Sequence, residues 1–290
     1  MSDSVLITGT STGIGEAAAL HFAREGYTGF AGMRNPDAGA GLVETAEKES
    51  LELSVVKHDV CDPDSNQTAV DEAIRASGKI DVLINNAGIG GGGALEETPM
   101  DDLRQVMETN FFGAIDLTRR VVPSMRERGS GAILNVTSMN GLVALAPMMS
   151  YTASKYALEA ATEVLAMELQ DFGVRVALIE PGVVMTPIFE KLSGSVPDVN
   201  SPYGKFYSAL GRVTARNLES AAMPESIARA MQNAVETSEP RLRYVVGHDA
   251  NKMVEDRSKM TDEEWIGLGA LSEDGYASRM ASMMGNDLRD

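Results

Sequence analysis

Val5-Leu-Ile-Thr-Gly-Thr-Ser-Thr-Gly-Ile-Gly15 is an apolar run that breaks into a glycine turn, and Glu16 to Arg24 after it has helical composition until Gly26 stops it. The order is strand, turn, helix. Gly9, Gly13 and Gly15 let the backbone approach a pyrophosphate, whose charge the free amides and dipole of the helix N-terminus would meet. A plain tight connection has the same composition. So does a rival chemistry, because Gly9-Thr-Ser-Thr-Gly13 also reads as G-x-S-x-G, the nucleophile elbow of α/β-hydrolases, with Ser11 as nucleophile. Position counts against the elbow, since no earlier strands build an oxyanion hole. A base is also scarce: of His21, His58 and His248, only His248 lies late enough in the chain.

Working outward, the second strand spans about Tyr27 to Met33 and runs into Arg34-Asn35-Pro36, where Asn35 can cap and Pro36 can open a helix. An NAD site wants an acid here for the ribose 2′-hydroxyl; Arg34 instead favours a 2′-phosphate, although a solvated Arg at a strand end would look the same. Leu53 to Lys57 reads as strand three, ending in His58-Asp59-Val60, and Asp62-Pro63-Asp64 caps a helix toward Ser77. Strand four, Ile80 to Ile84, is continuously apolar, as buried parallel strands are. It leads to Asn85-Asn-Ala-Gly88, and Thr98-Pro99 then starts one long helix whose apolar stripe contains Asn110. A buried Asn must be hydrogen-bonded, and a tie to neighbouring backbone would satisfy it.

Strand five, Ala132 to Val136, precedes Thr137-Ser138; strand six, Val174 to Ile179, closes with Glu180-Pro-Gly182; Tyr244 to Val246 is the seventh. Between them Tyr151-Thr-Ala-Ser-Lys155 puts a phenol and an ammonium on one face of a long helix. A phenol needs a nearby positive charge to exchange a proton at neutral pH, so Tyr151 is a candidate general acid/base with Lys155 as its support. A surface Tyr beside a solvated Lys has the same spacing. Residues 183–223 show no clear periodicity and read as an irregular, apolar substrate lid. It offers Val184, Met185, Ile188, Phe189, Leu192, Val196, Tyr203, Phe206, Tyr207 and Leu210, and faces Leu142, Val143, Leu145, Met148 and Met149.

Six alternations of strand and helix predict an α/β fold, a single-domain doubly wound parallel sheet of about seven strands with helices on both faces. Residues 1–247 form that domain, and 248–290 an acidic C-terminal extension with short helices. Every candidate lies at a strand's carboxyl end, where such sheets bind ligands. The net charge of -17 over 290 residues argues against nucleic acid or an anionic membrane. A single cysteine, Cys61, and the lack of a long apolar run fit a soluble, cytoplasmic protein.

Taken together, the Thr8-Gly-x-x-x-Gly-Ile-Gly15 turn, Asp59, Asn85-Asn-Ala-Gly88, Asn110, Ser138, Tyr151-x-x-x-Lys155 and Pro181-Gly182 resemble the short-chain dehydrogenase/reductase family over residues 1 to about 247. The resemblance implies a Rossmann-type fold and hydride transfer between a nicotinamide and a carbonyl or carbinol carbon. It implies Tyr151 as acid/base, Lys155 on the nicotinamide ribose, Ser138 on the carbonyl oxygen and Asn110 ordering a relay water. The cofactor would contact Gly9, Ser11, Thr12, Gly13, Ile14, Gly15, Arg34, Asp59, Val60, Asn86, Ala87, Gly88, Lys155, Pro181, Gly182 and Val184. Met33-Arg34-Asn35-Pro36 is similar to the NADP-preferring, hydroxysteroid- and retinol-dehydrogenase-like branch. However, the turn carries Thr10, Ser11 and Thr12 where many NADP members have a basic residue, so NAD(H) stays open. No metal is implied. A homodimer or homotetramer and a small apolar carbonyl or alcohol substrate follow by the same resemblance, and a non-catalytic NADP-binding redox sensor is the remaining alternative.

Overall fold

The computed structural model describes residues 2–186, 200–286 and 288. Seven parallel strands, β1 (Ser4–Thr8), β2 (Thr28–Met33), β3 (Leu53–Lys57), β4 (Val82–Asn85), β5 (Gly131–Val136), β6 (Val174–Pro181) and β7 (Arg243–Val246), form one sheet in the order β3-β2-β1-β4-β5-β6-β7. The chain winds outward from β1 in one direction and from β4 in the other. The crevice at the strand ends therefore opens where β1 and β4 adjoin.

Side-chain alternation along the strands sorts the core into two layers. Val5, Ile7, Ile84, Leu134 and Ile179 pack against α1 (Gly13–Arg24) and α8 (Pro224–Glu236), with Phe22, Ile227 and Met231 fully buried. Leu6, Leu83, Ile133 and Val176, in register across four strands, face α3 (Pro63–Ser77), α5 (Gly113–Arg128) and α6 (Met149–Leu169). Each such aliphatic side chain contributes about 1.5–3 kcal/mol when removed from water. A buried polar ladder runs through the second layer: Asn85 Nδ2 donates to Asn135 Oδ1 at 2.7 Å, and Asn135 Nδ2 donates to Thr162 Oγ1 at 2.8 Å. It ties α6 to the middle of the sheet. Helix starts follow local chemistry, with Asp62 Oδ1 accepting from Asp64 N ahead of Pro63, and Asn35 Oδ1 accepting from Asp37 N before a short 3-10 turn, Pro36–Gly39, and α2 (Ala40–Glu49).

Two sequence expectations change. The long helix from Thr98-Pro99 is α4 (Met100–Met107) and α5 joined by a π turn, Glu108–Phe112, that turns Asn110 inward. Gly113 follows at a spot where a Cβ would sit 2.7 Å from Val60 O. The stretch 183–223 is not irregular throughout, because Gly204–Leu218 is a helix, α7. Residues Phe206, Ala209 and Val213 repeat at helical spacing, but Gly204 and Gly211 obscure the pattern. Ile188, Phe189, Leu192 and Val196 lie outside the described residues.

The C-terminal segment is equally part of the body. Helices α9 (His248–Ser258), α10 (Asp262–Gly267) and α11 (Glu273–Met283) build a third core with α7, in which Ala250, Met253, Tyr276 and Met280 meet Ala209, Val213, Val183, Met139 and Val143. Met139 and Val143 follow β5 and Val183 follows β6, so this core supports the loops at the strand ends. Met253→Ala is expected to cost about 2–5 kcal/mol in urea unfolding, as a sheet-core truncation does. A loss under about 1 kcal/mol would mean the segment is only loosely attached.

Candidate active site

Thr8 joins the glycine turn to the segment after β4. Its hydroxyl accepts from Asn86 N at 3.0 Å and Ala87 N at 2.9 Å, while Asn86 Nδ2 donates to Thr8 O and Gly9 O. The approach is so close that only glycine fits: Gly9 has φ +69° and a Cβ there would lie 2.7 Å from Ala87 Cα. At Gly15 it would lie 2.3 Å from Gly9 O. The turn delivers the chain to α1, whose N-cap, Thr12, makes no side-chain cap, leaving the first amides open toward the crevice.

Two adjoining cavities fill this crevice. The larger, about 540 Å³, brings together Gly9, Ser11, Thr12, Gly13, Ile14, Gly15, Arg34, Asp59, Val60, Asn86, Ala87 and Gly88. The smaller, about 140 Å³, is lined by Ser138, Tyr151, Lys155, Pro181, Gly182 and Val184, and shares Ile14, Asn86, Gly88 and Thr186 with the first. All the sequence-predicted cofactor residues thus fall on one continuous cleft. Arg34 is exposed at its rim and has no salt bridge among the described residues. Asp59 accepts from Cys61 N at 3.0 Å, which turns the chain after β3 toward α3. Thr186 escaped the sequence reading although it borders both cavities. A lone polar residue five positions beyond Pro181, in an otherwise apolar run, was the available signal.

Lys155 is 4% exposed, and its ammonium donates to Val136 O at 2.9 Å, the last residue of β5. Its Nζ lies 5.6 Å from the centre of the Tyr151 ring. Burial lowers the Lys155 pKa to about 8, against the opposing charge of Glu159. Tyr151 does not follow the expectation of a phenol drawn down by Lys155. Burial raises its pKa, and the opposing influence is a hydrogen bond with Ser138. Desolvation of the phenolate is the larger influence. Ser138 Oγ is itself oriented by Asn140 N, 3.2 Å away, at the start of the 3-10 turn Met139–Gly141.

Asn110 stands behind the cleft. Its Nδ2 donates to Ile89 O and Ser154 Oγ, both at 3.0 Å, and its Oδ1 accepts from Ile89 N at 2.8 Å. The bland reading, a tie to neighbouring backbone, is therefore realised. Gly88 fills the space between, since a Cβ there would lie 3.4 Å from Asn110 Oδ1 and 3.6 Å from Lys155 Nζ.

The Ser11 alternative finds no base. His21 pairs with Gln232 at 2.7 Å, His58 with Asn66 at 2.6 Å, and the His248 ring lies against Gly285. None of the three is hydrogen-bonded to Ser11.

The family model described as short chain dehydrogenase matches residues 3–196. Retinol dehydrogenase 8 of Bos taurus is 36% identical over 255 residues, covering 83% of this chain and 80% of the relative. A short-chain dehydrogenase from Streptomyces avermitilis superimposes with a TM-score of 0.79 at 30% identity, covering 93% of this chain and 100% of that one. Two further solved structures are 27% identical and each covers 84% of this chain. They are a variant of actinorhodin polyketide ketoreductase with NADPH, at TM-score 0.76 and 95% of its own length, and 7 alpha-hydroxysteroid dehydrogenase with NADH, at 0.73 and 92%. On the matched residues, the shared parallel sheet and this likeness, the chain belongs to the short-chain dehydrogenase/reductase family of oxidoreductases, with relatives in its hydroxysteroid- and retinol-dehydrogenase-like branch.

Proposed function

We propose that the protein is an NADP(H)-dependent oxidoreductase that interconverts an apolar carbonyl compound and its secondary alcohol, with Tyr151 as general acid/base. The observation that carries this reading is the meeting of Ser138, Tyr151 and Lys155 in the small cavity that adjoins the glycine-turn cleft. The fit to a dinucleotide rests on the cradle itself, where a Cβ at Gly9 or Gly15 would collide, and on the uncapped start of α1. The turn residues would hold the pyrophosphate, Asp59 and Val60 the adenine end, and Lys155 the nicotinamide ribose. When bound, the nicotinamide supplies or accepts the hydride.

In the reductive direction Ser138 donates a hydrogen bond to the substrate oxygen, and the Tyr151 hydroxyl gives that oxygen its proton. The phenolate left behind is stabilised by the Lys155 ammonium and by Ser138; oxidation runs the same transfers in reverse. Asn110 has both amide hydrogens engaged, so it acts by holding the backbone at Ile89 behind Lys155. That these four residues are all present favours turnover over a sensor that only binds.

The apolar substrate class is supported by Val184 in the small cavity and exposed Met185 beside it, and by the name of the retinol dehydrogenase relative. The walls are less open than the sequence implied, because Val143 lies in the third core and Leu142, Leu145 and Phe206 pack on it. Helix α7 is fastened over the strand ends, with Tyr207 Oη accepting from Ala94 N at 2.9 Å and donating to Glu97 at 2.6 Å.

Turnover is read as NADPH consumption across aldehydes and ketones of rising apolar size. Tyr151→Phe should lower it by about 10²–10⁴-fold while leaving NADPH affinity nearly unchanged; near wild-type turnover would remove Tyr151 from its role.

Arg34→Asp tests the cofactor. NADPH binding should weaken by about 1.5–3 kcal/mol, as loss of a charge-assisted contact does, and NADH binding little. Equal wild-type affinities for the two would argue against a 2′-phosphate site at Arg34.

Pairing of two copies would use the outer faces of α5 and α6 and their flanking turns, a reading supported by Phe112, Val164, Met167 and Phe172, which are between 44% and 67% exposed. Light scattering at micromolar concentration should give at least twice the protomer mass, and a monomer would contradict pairing through these helices.

A further inference from the structure

One turn beyond Lys155 on α6, and outside the chemistry above, sits a group of buried carboxyls. Glu159 is 4% exposed and Glu180, on β6 just before Pro181, is 0%. Arg243 of β7 reaches both: its Nη1 donates to Glu180 Oε1 at 3.0 Å and to Glu159 Oε2, and its Nη2 to the exposed Glu163 at 3.1 Å. The other two oxygens, Glu159 Oε1 and Glu180 Oε2, are buried without a donor to meet them. Gly141 closes the pocket, since a Cβ there would lie 2.8 Å from Glu159 Cγ.

Two ionised carboxylates, both nearly or wholly buried, would leave one negative charge beyond what the partly exposed Arg243 guanidinium offsets, which is costly. A single proton held between them supplies the missing donor and removes the excess charge. We propose that Glu180 stays protonated beside Glu159, and that the two form a positioning pair whose remaining negative charge, one helical turn from Lys155, keeps that ammonium charged, with Arg243 locking the pair to the far edge of the sheet. The proposal rests on the assignment of Lys155 to the reaction.

Electrostatics agree with the geometry. Burial, then the charge of Glu159, pushes Glu180 up to about 7, with Arg243 opposing. The charge of Glu159 is also what opposes the loss of the Lys155 proton. The charged groups facing the pair from its surroundings are Lys155 and Glu163 on α6 and Arg243 on β7. Tyr156, influenced by Glu159, donates to Leu142 O. From α9, Asp249 accepts instead from Val183 N at 2.6 Å, and Arg257 pairs with Asp262.

Because Glu180 binds its proton more tightly folded than unfolded, its stabilising contribution is full below its ordinary 4.5 and is lost as pH rises to about 7. Thermal unfolding of the cofactor-free protein should therefore show Glu180→Gln, a permanent donor of the same shape, gaining several degrees relative to wild type between about pH 5 and 8. Separately, NADPH affinity followed by cofactor fluorescence should weaken as Lys155 deprotonates near pH 8. In Glu159→Gln that midpoint should move down by about one pH unit, and Glu159→Asp should restore most of it. Should Glu159→Gln not fold, the pH dependence of the Glu180→Gln Tm decides alone. A Tm difference that stays flat with pH, or an NADPH midpoint that does not move, overturns the proposal. Failure of the catalytic reading shows elsewhere, as turnover surviving Tyr151→Phe, and the unfolding measurement uses neither cofactor nor substrate.

Discussion

A lysine ammonium removed almost wholly from water needs an acceptor, and the placement of Lys155 draws several elements of this molecule together. Its carbonyl partner is Val136, the last residue of β5. Glu159, four residues on, places a carboxylate on the same helical face, and Glu180 and Arg243 bring in β6 and β7. Helix α6 is held against β5 by the ladder from Asn85 through Asn135 to Thr162. The ammonium thus occupies a fixed position relative to the sheet, and Tyr151 inherits that position through the helix. An unpaired buried charge would cost several kcal/mol, so the Val136 carbonyl is a required partner of this helix position.

What was legible in the sequence follows from how local the causes are. The Val5 to Gly15 stretch could be read because a strand, glycines and a helix start lie within eleven residues, with Gly9 and Gly15 each at a contact a Cβ would block and Gly13 at φ +65°. Strands β3 and β5 were found within a residue of their observed ends, since Pro, Gly and charged neighbours bound short apolar runs. The site was legible for a geometric reason: in a parallel sheet every strand's carboxyl end lies on one edge, so marking those ends marks the cleft.

The misses share a different cause, dependence on contacts distant in the chain. The π turn at Glu108–Phe112 leaves no mark on apolar spacing; it exists because Asn110 clasps Ile89 and Gly113 abuts Val60. Helix α7 owes its stability to Tyr276 and Met280, some seventy residues later. A positive charge four residues away would draw the Tyr151 phenol down, yet spacing cannot say how deeply the phenol is buried. Burial of the phenol prevails.

The same distance dependence bears on how the cleft is held open for a substrate. Met139 and Val143 follow Ser138, and Val183 follows Gly182; all three pack into the core built by α7, α9 and α11. Asp249 on α9 adds a hydrogen bond to Val183 N and crowds Gly182 so closely that a Cβ there would lie 2.3 Å from its carboxylate. The C-terminal helices therefore fix the two loops that carry Ser138 and the Pro181-Gly182 turn, from the side opposite α1 and the glycine turn. Reacting groups need positional tolerance well under an ångström, and here Met139, Val143 and Val183 are set by the C-terminal core while Val184 joins the core under α1. Sequence change in the C-terminal helices can then move the loops after Ser138 and Gly182 while the Thr8 junction and its glycines stay in place.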